Sequence, residues 1–256
     1  MSSILRLMAA VLPTFRGIDY RVIGRFHRRG GFSDRPIVCG NGFLMSGSTS
    51  NAGYVSGVNE RPFLRFIGAQ IQDGETIYNL GANIGYTALW LAQIAQKKGK
   101  TISVIAFEPD PSTFSLLQQN VALNRALNVS CENVAVGDFD GVVNFTSHGD
   151  GDGAAHISQT GDMEVAILTL DTFQKGRETG PDWLVMDIEG FGGECLKGAE
   201  SLIRTFRPKI ALEVHSADED SKVESTLQAH DYRKFASQEN IWGRFDFWMS
   251  YTSKEA

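Results

Sequence analysis

The chain has 256 residues, 42% hydrophobic and 21% charged, which gives it enough apolar material for a self-sufficient core and excludes a disordered or fibrous protein. Its 24 basic and 30 acidic residues leave a formal charge of −6, so the molecule as a whole is not built to neutralise a nucleic acid backbone. The three cysteines, Cys39, Cys131 and Cys195, form no CxxC pair and cannot all be disulfide-bonded within one chain, which predicts a reducing, cytoplasmic setting.

In chain order, Ile4 to Leu12 is apolar but interrupted by Arg6, which argues against a secretory signal, and no run is long enough to span a membrane. From residue 1 to residue 36, seven arginines (Arg6, Arg16, Arg21, Arg25, Arg28, Arg29 and Arg35) stand against Asp19 and Asp34. Residues 1–61 are therefore expected to be a basic extension followed by a hairpin or lid: a solvated helical segment, a transit peptide, or a surface for membranes or acidic substrates. Residues 62–256 alternate short apolar runs with amphipathic stretches. The strand runs are Thr76–Leu80, Ile102–Phe107, Val129–Val136, Trp183–Ile188 and Lys209–Val214, and the helical stretches are Tyr86–Gln96, Ser112–Asn124, Gly193–Phe206 and Ala217–His230. This pattern predicts an α/β fold with a doubly wound, mostly parallel sheet. Val142–Phe145 and Glu164–Leu168 predict a β-hairpin insertion before the fourth core strand, and Trp242, Phe245, Phe247 and Trp248 predict final strands closing the sheet.

The chemistry-bearing motif begins at Ile77-Tyr78-Asn79-Leu80-Gly81-Ala82-Asn83-Ile84-Gly85, a strand running through a glycine turn into a helix. Gly81 permits the tight turn and close approach of a ligand, and Gly85 is expected to let the helix pack close to its strand. The pattern is GxxxG, neither the GxGxxG of dinucleotide sites nor a P-loop, and no lysine is placed for a phosphate. Glu108, in Phe107-Glu108-Pro109, ends the next strand, where a carboxylate can accept from both ribose hydroxyls. A ribose acid beside a turn poor in phosphate-binding groups suits S-adenosylmethionine, with Asn79 and the turn amides, including Asn83, placed for its amino-acid end. Asp138, past the third core strand, reads either as an adenine neighbour or as a turn residue. Asp138-Phe139-Asp140-Gly141 and Asp150-Gly151-Asp152-Gly153 lack the distal glutamate of a calcium loop and read as turns.

These segments, with Asn120, Asn133-Val134-Ala135-Val136-Gly137, Leu168-Thr169-Leu170-Asp171, Asp187-Ile188-Glu189-Gly190, Leu196-Lys197-Gly198-Ala199, Pro208 and Glu213-Val214-His215, resemble in order and spacing the FkbM family of S-adenosylmethionine-dependent methyltransferases. Tyr54, Gly57 and Glu60 extend the resemblance upstream. It implies a class I methyltransferase (Rossmann-like) fold and O-methylation of a hydroxyl on a sugar, glycolipid or other natural product. The family usually carries an acid where this chain has Asn79, a lysine where it has Met186 and a glutamate where it has Gly192.

Methyl transfer to oxygen requires an aligned acceptor and a group to take the hydroxyl proton. Asp187 with Glu189, and Glu213 with His215, stand at i, i+2 spacing at the ends of neighbouring strands, so a regular continuation would turn each pair to one face at the ligand-binding edge. His215 is the expected general base, oriented by Glu213 or Glu189. No metal is expected; a divalent ion held by Asp187, Glu189, Glu213 and His215 is the alternative. His148 and His156 flank a loop over this rim. The expected partners are a small-molecule or glycan acceptor and no nucleic acid. Two other functions stay open, a non-catalytic adenosyl-binding scaffold and a nicotinamide-dependent oxidoreductase.

Overall fold

The computed structural model describes residues 36–39, 42–46, 61–147, 155–158, 161, 163–239 and 244–250. Trp242, His148, the 149–153 loop, Tyr54, Gly57, Glu60 and the seven N-terminal arginines lie outside those residues. Two short strands, β1 (Ile37–Val38) and β2 (Leu44–Met45), pair antiparallel. Helix α1 (Arg61–Gln70) precedes β3 (Thr76–Leu80), α2 (Tyr86–Lys97), β4 (Ser103–Phe107), α3 (Pro111–Leu123) and β5 (Val129–Glu132). Next come β6 (Ala135–Val136), β7 (Gly141–Thr146), β8 (His156–Ile157), β9 (Met163–Leu168) and the short helix α4 (Leu170–Gln174). The chain continues as β10 (Trp183–Met186), α5 (Gly192–Lys197), α6 (Glu200–Phe206), β11 (Lys209–Val214), α7 (Ala217–Ala229), β12 (Tyr232–Glu239) and β13 (Arg244–Ser250).

Seven strands form the main sheet in the order β12-β13-β11-β10-β3-β4-β5. The five from β11 to β5 are parallel, and β13 runs antiparallel to both β11 and β12. Both faces are covered, which is why these strands read as continuous apolar runs. Ile77, Val185 and Ala211 pack in the cluster with α1, α2 and α3, while Tyr78, Leu80, Leu184, Met186 and Leu212 pack in the cluster with α4 to α7. The architecture is therefore the doubly wound class I methyltransferase arrangement. Its winding reverses between β3 and β10, and a crevice opens there beyond the strands' carboxyl ends.

The expected hairpin is present as β7 paired antiparallel with β9, and it is larger than the sequence suggests. Strands β6 and β8 join it in a separate four-stranded sheet ordered β6-β9-β7-β8. The apolar run Val129–Val136 thus belongs to two sheets, divided at Asn133. Asn133 Nδ2 donates to the carbonyls of Glu108 (2.8 Å) and Pro109 (3.0 Å), which turns the chain out of the main sheet. The stretch Gly193–Phe206 likewise divides into α5 and α6. At Gly198 a Cβ would lie 1.9 Å from the Gly137 carbonyl, so the helix is interrupted where the small sheet's backbone crosses it.

The described residues before α1 share the main core. Cys39, Phe43 and Met45 are buried in it, and Asn124 and Asn120 of α3 bond the backbone of Leu44 and Ser46. At the other end, Phe245 and Phe247 of β13 pack on Phe63 and Phe66 of α1, with ring centroids 3.9 Å and 4.4 Å apart in the closest pairs.

Candidate active site

The glycine turn stands at the end of β3. Gly81 has φ 76°, Asn83 φ 50° and Gly85 φ 94°, and the amides of Gly81 and Ala82 both donate to the Phe107 carbonyl. A Cβ on Gly81 would sit 1.9 Å from the Asp187 carbonyl, so glycine here lets the ends of β3 and β10 meet. On Gly85 a Cβ would lie 2.7 Å from Leu117 Cδ1. The neighbour that requires its absence is thus α3 rather than the strand.

Glu108 is 5% exposed and lines the cleft. Its Oε2 accepts from the Asn83 amide (2.8 Å) and its Oε1 from the Asp110 amide (3.0 Å). Burial pushes the carboxyl up to about 7, against the pull of those two amides. Pro109 lines the cleft beside it. Asp110 caps α3, its Oδ1 accepting from the amides of Ser112 (2.7 Å) and Thr113 (3.2 Å). Opposite stand Val134, Ala135 and Val136, with Phe145, Ile157 and Phe191 completing an apolar wall.

Asn79 is buried and is not among the cleft-lining residues. Its Nδ2 donates to the Val185 carbonyl at 3.4 Å, and its Oδ1 is buried without a hydrogen-bond partner. Asp138 also lies off the cleft wall, where it forms a surface ion pair with Lys197 (2.9 Å).

The second half of the site is ionisable. Strand β10 ends at Met186, so the regular spacing expected for Asp187 and Glu189 does not continue. Glu189 and Gly190 instead form a turn with φ 44° and 83°. That turn brings both acids to one imidazole: His215 Nε2 lies 3.3 Å from Asp187 Oδ1 and 3.6 Å from Glu189 Oε2. Glu213 is 9% exposed, and donor atoms of Asp187, Glu213 and His215 fall within 4.8 Å of one another, close enough to share one cation. Glu219, which the sequence reading overlooks, faces the other ring nitrogen, with Oε2 3.5 Å from Nδ1.

Burial alone would push the imidazole down. Asp187 and Glu219, with Glu189 beside them, lift it to about 10. Burial raises Glu189 against the opposing pull of His215 and His156, the latter on the cleft's far wall. The surrounding carboxylates thus favour the protonated form of His215.

A nucleoside fits the first half by donor chemistry. A buried carboxylate is held by amides beside an apolar slot, and the turn that carries Gly81 leaves no room for a side chain. When bound, S-adenosylmethionine supplies an electrophilic methyl on a positively charged sulfur. Glu108 would take its ribose, the wall at Val134–Val136 and Phe145 its adenine, and the glycine turn its amino-acid end.

Comparisons with known proteins bear on the family and the fold. The family model of the methyltransferase FkbM domain matches residues 79–234, more than half of the chain. The hexuronic acid methyltransferase AglP of Haloferax volcanii is 25% identical over 177 residues, covering 66% of this chain and 67% of that protein. The crystal structure of methyltransferase FkbM from Methylobacillus flagellatus KT superposes with a TM-score of 0.55 at 18% identity, over 78% of this chain and 53% of that one. This chain thus spans about half the length of that structure, and the likeness bears on the fold. The motif that opens at Asn79, the sheet order and the crevice at its reversal lead to one classification: the chain belongs to the FkbM family of S-adenosylmethionine-dependent methyltransferases.

Proposed function

We propose that the protein methylates a hydroxyl of a sugar, glycolipid or related natural product, with the acceptor seated between Glu108 and the His215 rim. The observation that carries this reading is that Asp187 and Glu189 line the same cleft as Glu108, while His215, itself not among the lining residues, stands with Nε2 3.3 Å and 3.6 Å from their carboxylates. An acceptor hydroxyl placed there meets two carboxylates with an imidazole beside them, the side chains in reach to take its proton. A divalent cation, if bound, would be held by Asp187, Glu213 and His215 and would add positive charge beside the acceptor hydroxyl. The hexuronic acid methyltransferase AglP supports a sugar as the acceptor class. The arginine-rich residues 1–36 suit a glycolipid acceptor presented at a membrane surface, with the reaction on the cytoplasmic side.

The test is incubation with S-adenosylmethionine and an acceptor panel of hexuronic acid glycosides, neutral hexosides, glycolipids and non-sugar alcohols, read by mass spectrometry. The expected product gains one methyl on oxygen from a sugar-bearing acceptor, and transfer confined to the non-sugar alcohols would overturn the reading. A second reading, a non-catalytic adenosyl-binding protein with a degenerate methyltransferase fold, is favoured by Asn79 standing where the family usually carries an acid, its Oδ1 buried without a partner among the described residues. Cofactor binding with no transfer to any member of the panel would select it.

A further inference from the structure

Gly192 begins α5, and its φ lies outside the left-handed region, so its backbone does not require glycine; the space around it does. A Cβ there would lie 2.8 Å from Glu219 Oε1 and 2.8 Å from Leu212 Cδ1. The Glu219 carboxylate, reaching from the first turn of α7, fills that space. Its Oε1 accepts from the Gly192 amide at 2.9 Å and its Oε2 from the His215 amide at 2.8 Å, on a residue 1% exposed.

A helix that begins Ser216-Ala217-Asp218-Glu219 ordinarily uses its third-position glutamate to reach back to the N-cap amide. Here only the serine half of that box forms, with the Glu219 amide donating to Ser216 Oγ at 3.1 Å. The carboxylate goes instead to a neighbouring segment and to the imidazole, where Oε2 stands 3.5 Å from Nδ1. A side chain anchored by two backbone amides in a closed space has little freedom, and the ring that it faces inherits that order.

We propose that Glu219, seated in the space that Gly192 leaves open, is a positioning residue that holds His215 Nδ1 and so turns Nε2 toward Asp187 and Glu189 at the mouth of the cleft. The geometry stands by itself; only the consequence for turnover rests on the methyl-transfer reading above.

The experiment observes the ring directly, by nuclear magnetic resonance of the His215 Nδ1–H proton in ligand-free, ring-labelled full-length protein. Glu219→Gln removes the charge, and Gly192→Ala displaces the carboxylate without touching it chemically. Each is expected to speed solvent exchange of that proton about tenfold or more, with affinity for S-adenosylhomocysteine held within twofold. Having two variants keeps the test decisive should one fail to fold. Ser216→Ala, which removes the helix cap alone, is expected to lower the thermal midpoint and leave the Nδ1–H exchange rate as in the native protein. Native exchange in Glu219→Gln, or equal acceleration in Ser216→Ala, would overturn the proposal and make Glu219 a helix anchor. Failure of the native protein to bind S-adenosylhomocysteine would count against the methyltransferase reading instead, leaving the ring measurement to stand or fall separately.

Discussion

The two halves of the cleft are built on different principles. At the β3–β4 end the backbone does the defining: a positive-φ turn, a close approach at Gly81, and one carboxylate held by the amides of Asn83 and Asp110. At the β10–β11 end the side chains do it, with Asp187, Glu189 and Glu219 gathered about His215. A backbone-defined site is fixed before any ligand arrives and tolerates few substitutions. A site of mutually neutralising side chains has a protonation state that shifts with whatever charge is added. Recognition is thereby separated from proton chemistry, and perturbations of the two halves should read out differently.

The sharpest way to break that comparison is His215→Ala. It is expected to lower turnover by about a hundredfold or more while cofactor affinity by isothermal titration stays near native, and equal loss of both would merge the two halves. Next in size is a pair of glycine variants. Gly81→Ala combines φ 76° with the Asp187 carbonyl and should cost about 3 kcal/mol in chemical denaturation. Gly190→Ala, at φ 83° with open space around it, should cost only about 1 to 2 kcal/mol. Glu108→Ala should weaken S-adenosylhomocysteine binding about tenfold to a hundredfold, since a charge-assisted hydrogen bond to ribose is lost, and should also lower stability because the Asn83 and Asp110 amides lose their acceptor.

The smallest effect is in pH. Glu108, raised from 4.5 to about 7, accepts more strongly from ribose when ionised, so S-adenosylhomocysteine affinity should climb, by at most about tenfold, from pH 6 to pH 8 and then level off. Because the folded state holds that proton more tightly than the unfolded chain, ligand-free stability should fall over the window from 4.5 to about 7, and Glu108→Gln should abolish both trends. His215 acts with the same sign higher up. Its ion pairing stabilises the fold fully below 6.5 and is lost as pH rises through about 10.

The same contrast governs what could be read in the sequence. Strands β3 and β11 coincide with the runs Thr76–Leu80 and Lys209–Val214, because strands buried on both faces announce themselves by continuous apolar composition. Gly81 and Glu108 are legible because a turn and a strand end have local signatures. Strand β12 was hidden by its exposed, polar alternation, and the division between β5 and β6 by apolar residues on both sides of Asn133. Asp138 is drawn from the cleft by Lys197, a partner 59 positions away. Glu219 carries a capping pattern in sequence, and only the tertiary approach of Gly192 gives it another task. Motif residues also divide by use. Asp171 accepts from the amides of Ser201 and Leu202 at the start of α6, and Asn120 ties α3 to Ile84 and Ser46, so part of the family pattern maintains the scaffold.

Asn133 gives the small sheet a role in the thermodynamics of binding. Its amide group clasps the carbonyls of Glu108 and Pro109, while two residues later β6 enters the four-stranded sheet and pairs with β9. Order at the Glu108 backbone and order in the small sheet are therefore coupled, and coupling of this kind is reciprocal. Occupancy of the cleft should slow hydrogen exchange at amides such as that of Gly137, bonded to the carbonyl of Leu168 on β9, the strand of this sheet that supplies no cleft-lining residue among those described.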